Sequence, residues 1–192
     1  MNHRGHPKNP IPRAELPLAA LAESFLESSR EEAPALAKQL AALDADGKRE
    51  LGGVLGRLDA RGKGELDPGQ RLLARRVLGR LQKPAAESLV LVNRILDYLD
   101  LNLSALIEED ELELCVQVIE LFARAESRND TLSTRELEML YAVLRYLDRD
   151  ENGQLDPLER AALHQGLSRP EVFLAEQRKQ NPFLRRLLAA RV

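Results

Sequence analysis

The chain has one cysteine, no tryptophan and few aromatic residues, and each shortage excludes something. A single thiol, Cys115, forms neither an intramolecular disulfide nor a cysteine cluster for zinc. Aromatic residues are 4% of the sequence, while leucine and alanine supply most of its 44% hydrophobic content. Because unbranched side chains lose little rotamer freedom on a helix, this composition predicts an all-α fold.

Long apolar runs and a strong excess of one charge are also missing. The net charge is -3, which by itself indicates neither a nucleic acid nor a membrane surface as partner. Residues 1–13 contain proline, histidine and arginine without apolar periodicity, which predicts a flexible tail and no signal peptide. No run is long enough to span a bilayer. We therefore expect a cytoplasmic protein with no transmembrane segment.

Motifs of catalysis are absent as well. The sequence has no phosphate-cradling Gly-Lys-Ser/Thr loop, no serine elbow and no zinc-protease helix motif. His3 and His6 fall in the tail, and His164 stands alone on a predicted helix without a second ligand at metal spacing. Cys115 lies on a helical apolar stripe and is predicted to be a core residue. The sequence predicts that the chain is not an enzyme.

The sequence contains an internal repeat. RELGGVLGRLDARGKGELDPGQR (49–71) aligns with RELEMLYAVLRYLDRDENGQLDPLER (135–160). Both copies run Arg-Glu-Leu, an apolar helix, Leu-Asp, four variable residues and Gly-x-Leu-Asp-Pro before a second helix. Upstream, 32–48 and 111–130 each supply an amphipathic helix and a polar linker. The predicted organisation is one half over 14–84, a second half over 85–168 and C-terminal docking helices over 169–192.

The loop DRDENGQLDPLE (148–159) offers oxygen at alternate positions, as calcium requires. Calcium takes about six to eight hard oxygen ligands in a flexible geometry. Gly153 permits the sharp turn that such a loop needs, and Glu159 reaches the ion from the start of the following helix. The predicted Ca²⁺ ligands are Asp148, Asp150, Asn152, Gln154 through its backbone carbonyl, Asp156 and Glu159.

In these positions the loop resembles the EF-hand family of calcium-binding proteins, and the apolar helices on either side extend the match. The resemblance implies duplicated helix-loop-helix units in two pairs, arranged as two lobes or as one fused helical body. It also implies that Leu155, at the eighth place, pairs its backbone with a neighbouring loop. A solvated turn followed by a capped helix is the alternative interpretation of the same residues.

Two other segments fit the pattern less well. Segment 59–70 carries Arg61 and Lys63 where oxygen ligands belong, so it is predicted to be metal-free. Segment 100–111 has Ala105 in place of the glycine and is a weaker candidate for a second ion. Its residues in register are Asp100, Asn102, Ser104, Glu108 and Glu111.

Two basic segments predict contacts, either within the chain or with a partner. Arg71, Arg75, Arg76 and Arg80 lie on one predicted helix and should face either solvent together with the chain's own Glu108–Glu111, or an acidic protein, membrane or nucleic-acid partner. Asn181 and Pro182 open a helix with an apolar face beside several arginines. That helix packs either on its own chain or on another protein.

Together these patterns predict a calcium-binding regulatory or adaptor protein whose loop 148–159 controls or stabilises a surface for an unidentified protein partner. The alternatives are a helical scaffold with Ca²⁺ as a permanent staple, and a calcium buffer. The chain has two methionines, too few for the Met-lined groove of a promiscuous sensor. No nucleic-acid partner is expected, because aromatic side chains do not alternate with the basic ones.

Overall fold

Every regular element in the described part of the chain is a helix, which confirms the predicted all-α fold. The computed structural model describes residues 18–59, 64–100, 106–107, 109–126 and 129–190. The helices are α1 (Leu18–Glu32), α2 (Pro34–Ala41), α3 (Ala45–Leu58), α4 (Pro68–Gly79), α5 (Ala86–Leu99), α6 (Glu109–Glu126), α7 (Thr134–Leu147), α8 (Pro157–Leu167), α9 (Pro170–Gln180) and α10 (Pro182–Ala189). The predicted tail 1–13 lies outside the described residues, as do Arg61, Lys63, Asn102, Ser104, Ala105 and Glu108.

The helices pack in two layers. In one layer α1, α3, α5, α7 and α10 follow one another, and each packs against the next. In the other layer α2, α4, α6 and α9 do the same, with α8 packed between α7 and α9. The buried apolar side chains form one connected cluster from Leu21 to Leu184. Among the described residues, no helix has both the length and the apolar character that crossing a membrane requires.

Cys115 is a core residue, as the sequence predicts. Its side chain lies inside the connected cluster and is 0% exposed. Burial raises the pKa of its thiol to about 12, so the sulfur stays protonated and unreactive at neutral pH.

Local sequence signals explain where most helices begin. Ser133 and Glu136 form a capping box at the start of α7: Ser133 N–H donates to Glu136 Oε2 at 2.7 Å, and Glu136 N–H donates to Ser133 Oγ at 3.3 Å. Asp67 and Asp156 cap α4 and α8 in the same way, each followed by a proline at the first helical position. α3 differs from expectation, because Asp44 caps it and it begins at Ala45, upstream of the Arg-Glu-Leu motif.

At one edge of the molecule, the turn after α4 is hydrogen-bonded to the turn before α7. The first turns of α3, α5 and α7 line one groove there. Leu81 and Leu132 form an isolated parallel β-bridge at this edge, with Gln82 N–H donating to Leu132 O at 2.9 Å and Leu132 N–H donating to Arg80 O at 2.6 Å. Two turns that are distant in sequence are thereby held together.

At the opposite edge, each of two loop segments donates one backbone hydrogen bond to the last turn of an earlier helix. Ile107 N–H donates to Arg57 O at 2.8 Å, and Leu155 N–H donates to Tyr98 O at 3.4 Å. Arg57 and Tyr98 each lie two residues before the aspartate that opens a loop, so both links have the same register. The sequence predicts a neighbouring loop as the partner of Leu155. The structure differs, because successive helix-loop-helix units lie side by side and the acceptor is the last turn of α5.

The row of arginines on α4 is matched within the chain by Glu120 of α6. Arg76 Nη2 lies 3.0 Å from Glu120 Oε2, and Arg80 Nη2 lies 3.4 Å from Oε1. The hydrogen bond from Arg76 holds the pKa of the Glu120 carboxyl below its ordinary range, although burial acts in the opposite direction. The ion pair therefore ties the two helices together through a carboxylate that stays charged.

Arg75 is the buried member of the same row. Its side chain is 8% exposed and pairs with Glu32, while its Nε donates to Ser29 Oγ at 3.2 Å. Glu108–Glu111 as an acidic counterpart stays a prediction, because the side chains of residues 108–110 lie outside the described part of the chain. The described ion pairs of the row go to Glu32 and Glu120, which helical spacing does not reveal because they are distant in sequence.

The C-terminal helix packs on its own chain. Asn181 is 0% exposed, and its Oδ1 accepts hydrogen bonds from Phe183 N–H and Leu184 N–H, which caps α10. Its Nδ2 donates to Ala142 O of α7 at 2.9 Å. The guanidinium of Arg145 lies 4.2 Å from the centroid of the Phe183 ring, a cation–π contact that adds to this packing.

Replacing Glu120 with glutamine tests how much its ion pairs with Arg76 and Arg80 stabilise the fold. We expect the free energy of unfolding at neutral pH to fall by about 2 kcal/mol, because the two arginines lose their charged acceptor. Glu120 has a lowered pKa in the folded state, so its contribution is present above the unfolded-state pKa and is lost as pH falls through the folded-state pKa. Urea denaturation at several pH values should show the two proteins converging on acidification.

The matched control is Glu138→Gln, which removes an exposed carboxylate from α7. We expect that change to stay within about 0.5 kcal/mol of wild type. A Glu120→Gln effect no larger than that of the control would contradict a stabilising role for the Glu120 ion pairs.

Candidate metal centre

The predicted calcium loop connects α7 to α8, and its first and last carboxylates are buried. Asp148 is 5% exposed and Glu159 is 6% exposed, while Asp150 is exposed. Asp148, Asp150 and Glu159 each bring one carboxylate oxygen to a common point, with all three oxygens within 4.8 Å of one another. Residues at the first, third and twelfth places therefore converge, as the spacing predicts.

A tight turn brings the start of the loop back on itself. Glu151 and Gly153 have positive φ angles of 56° and 86°. Asp148 accepts two backbone hydrogen bonds across the turn, from Asn152 N–H to Oδ1 at 3.1 Å and from Gly153 N–H to Oδ2 at 2.9 Å. The buried carboxylate thus closes the turn that glycine makes possible.

Glu159 links the two ends of the loop. Its Oε1 accepts a hydrogen bond from Arg149 N–H at 2.6 Å, and its Oε2 accepts one from Asp156 N–H at 3.0 Å. Both carboxylate oxygens therefore face the loop from the first turn of α8. That orientation is the one a bidentate ligand at the twelfth place would need.

The remaining predicted ligands lie around this group. Asn152 Nδ2 donates to Asp150 Oδ2 at 2.8 Å, and Asn152 Oδ1 accepts from Gln154 N–H at 2.9 Å, which places the amide beside the carboxylates. Asp156 lies outside the three-carboxylate group, because its Oδ1 caps α8 by accepting from Leu158 N–H and Glu159 N–H. Ca²⁺ ligation by all six predicted residues stays a prediction.

The electrostatics of the loop favour a cation. Burial raises the pKa of the Asp148 carboxyl, and the neighbouring Asp150 and Glu159 act in the same direction, whereas the amides of Gly153 and Asn152 oppose them. Unit charges about 5 Å apart, such as those of Asp148 and Glu159, repel by about 1–4 kcal/mol depending on solvent screening. A bound divalent ion would reverse the sign of that term, so the residues present fit a hard, oxygen-seeking metal.

Segment 59–70 has the same hydrogen bond between its first and sixth places. Asp59 is 1% exposed, Gly64 has a φ angle of 73°, and Gly64 N–H donates to Asp59 Oδ2 at 2.7 Å. At the end of the segment Gln70 Oε1 accepts from Asp67 N–H at 3.0 Å, which copies one of the two bonds that Glu159 makes. The absence of metal from this segment stays a prediction, because its third and fifth places lie outside the described residues.

Segment 100–111 shows only its ends. Asp100 is 5% exposed and Glu111 is 2% exposed, and both take part in interactions within the chain. Ile107, at the eighth place, is 1% exposed. The proposed weaker site here stays a prediction.

Sequence reasoning missed Tyr98, which supports the loop from α5. Its carbonyl accepts from Leu155 N–H, and its ring meets Tyr141 edge-on with centroids 5.7 Å apart. Burial raises the pKa of its hydroxyl to about 12. A signal exists in the sequence, since a Leu-Asp pair opens each of the three segments and the residue before the leucine is the acceptor in two of them.

Comparisons with protein-family models, with curated proteins and with solved structures found no match.

Replacing Gly153 with alanine tests the turn. The site has open space around the position of a Cβ, but a φ of 86° disfavours any L side chain. We expect the free energy of unfolding in the presence of a chelator to fall by about 1 kcal/mol. Gly79→Ala is the matched control, because that glycine also has open space and ends α4 without a positive φ, so alanine there should be neutral or stabilising. Equal effects of the two changes in urea denaturation would argue against the left-handed turn.

Proposed function

We propose that this chain is a calcium-binding regulatory or adaptor protein in which loop 148–159 holds one Ca²⁺. The observation that supports this most is the convergence of the Asp148, Asp150 and Glu159 carboxylates, two of them buried, within 4.8 Å. Asn152 and the Gln154 carbonyl would complete the oxygen set, with Asp156 at its edge.

The proposed ion would act on the position of α8. Glu159 lies in the first turn of α8 and already contacts the amide of Arg149 at the other end of the loop. An ion held by Asp148 and Glu159 would add a second, stronger bond between the end of α7 and the start of α8. Calcium would therefore restrict how α8 moves relative to the layer formed by α5 and α7.

A surface for a protein partner lies on α8 and α9. Leu158, which precedes Glu159, is 80% exposed, and Val172 of α9 is 56% exposed. A groove of about 320 Å³ runs between the two helices, lined in part by Gly166 and Phe173. Exposed apolar side chains next to a metal-anchored helix are what a calcium-dependent contact would use.

One observation favours the staple as a second candidate. Asp148 and Glu159 close the loop through backbone amides on their own. If calcium only reinforces a loop that is already closed, the surface of α8 and α9 would not change on binding. The ion would then stabilise the fold by mass action, by about 2.7 kcal/mol at a free concentration one hundred times its Kd.

Calorimetric titration with Ca²⁺ tests the proposed site. Wild type should bind one ion, and Glu159→Gln should weaken binding about 100-fold, or about 2.8 kcal/mol, because a charged bidentate ligand becomes neutral. Glu151→Gln is the matched control, since it removes the same charge from the same loop at a place that is not a predicted ligand. The absence of any binding heat in wild type would disprove the proposal.

Tyrosine fluorescence offers a second measurement of calcium binding, because the chain has three tyrosines and no tryptophan. Tyr98 and Tyr141 contact each other beside the loop, and Tyr146 lies two residues before it.

Hydrogen exchange separates the regulatory role from the staple. If calcium controls a partner surface, exchange should change throughout α8 and the α8–α9 groove, and binding of a hydrophobic dye should change with it. If calcium is a staple, protection should rise only at the loop amides, such as those of Asn152 and Gly153. Glu159→Gln should abolish either response at calcium concentrations that saturate wild type.

A further inference from the structure

Asn152 and Gly153 form the one Asn-Gly pair in the sequence, and it lies in loop 148–159. Asn152 is exposed, and the space where a Cβ of Gly153 would stand has no atom within 4 Å. Gly153 lies in a turn and not in a helix, so no helical hydrogen bond holds its amide. That amide instead donates to the side chain of Asp148.

We propose that Asn152 is a site of spontaneous deamidation when the loop holds no ion. The Gly153 nitrogen attacks Cγ of Asn152, forming an N–C bond that closes a five-membered succinimide ring. Its proton passes to solvent, and the former amide nitrogen takes up a proton and leaves as ammonia. Water then adds to one of the two ring carbonyls and breaks its bond to nitrogen. Opening on one side gives aspartate at position 152, and opening on the other gives isoaspartate.

The ring forms when the Asn152 side chain rotates toward the Gly153 nitrogen and the hydrogen bond from Gly153 N–H to Asp148 Oδ2 opens. Two side-chain hydrogen bonds oppose that rotation, from Asn152 Nδ2 to Asp150 Oδ2 and from Gln154 N–H to Asn152 Oδ1. Both lie at an exposed part of the loop, where water competes for the same groups. No bulky side chain at position 153 blocks the approach.

Protection by calcium rests on the proposed function. An ion bound by Asn152 Oδ1 and Asp148 would hold the side-chain carbonyl away from the Gly153 nitrogen. The reaction would then proceed only from the empty loop, so its rate would follow the empty fraction. At a calcium concentration one hundred times the Kd that fraction is about 1%, which slows the reaction about 100-fold.

The two products differ in their effect on the site. Aspartate at position 152 places a further carboxylate at the fifth place of the loop, which strengthens binding by raising the ligand charge. Isoaspartate routes the main chain through the side-chain carbon and lengthens it by one atom. The twelve-residue spacing is then lost and calcium binding with it.

The test is an ageing experiment on the full chain at mildly alkaline pH, with excess calcium in one arm and a chelator in the other. Peptide mapping by mass spectrometry follows aspartate and isoaspartate at position 152. Asn129, which is exposed and followed by Asp130, is the internal control. Asn152→Gln removes the reaction while keeping an amide, and Asn152→Asp provides the aspartate product for calorimetry. We expect conversion at position 152 to exceed that at Asn129 with chelator and to be suppressed by calcium.

Each outcome has one meaning. No conversion above that of Asn129 with chelator overturns the proposal, whatever calorimetry shows. If conversion is equal in both arms although calorimetry shows that fresh protein binds calcium, the proposed protection of Asn152 by calcium is overturned. If fresh protein binds no calcium, the proposed function fails, and conversion above that of Asn129 still supports the modification site.

Discussion

One hydrogen bond occurs twice among the described residues: a buried aspartate at the end of a helix accepts from the amide of a glycine with positive φ. Asp148 and Gly153 make it in one loop, and Asp59 and Gly64 make it in the other. The carboxylate ends one helix while the glycine turns the chain toward the next. Because the bond uses only protein groups, it forms without an ion.

The two segments share this bond and differ at their twelfth place. Glu159 reaches the amides at both ends of its loop, and its carboxylate joins those of Asp148 and Asp150. Gln70 keeps the capping bond to Asp67 but brings no charge. The capping box is thus common to both, whereas the concentration of negative charge belongs to loop 148–159 alone among the described clusters.

The sequence predicts the local part of this structure well. The caps at Ser133 and Asp156, the turn at Gly153 and the convergence of the first and last carboxylates follow from signals within a dozen residues. Contacts between distant segments do not follow, because helical spacing shows which residues share a face and not what that face meets. Glu32 and Glu120 as partners of the arginines, and Tyr98 as the acceptor for Leu155, are of that kind.

The position of α10 has a consequence for assembly. Within the chain, each helix of the first layer offers one side to its predecessor and the other to its successor, an arrangement that has no natural end. α10 covers α7 where a further unit would stack, and the buried Asn181 fixes it there through the Ala142 carbonyl. α10 therefore occupies the side of α7 that a further helix of this layer would otherwise use.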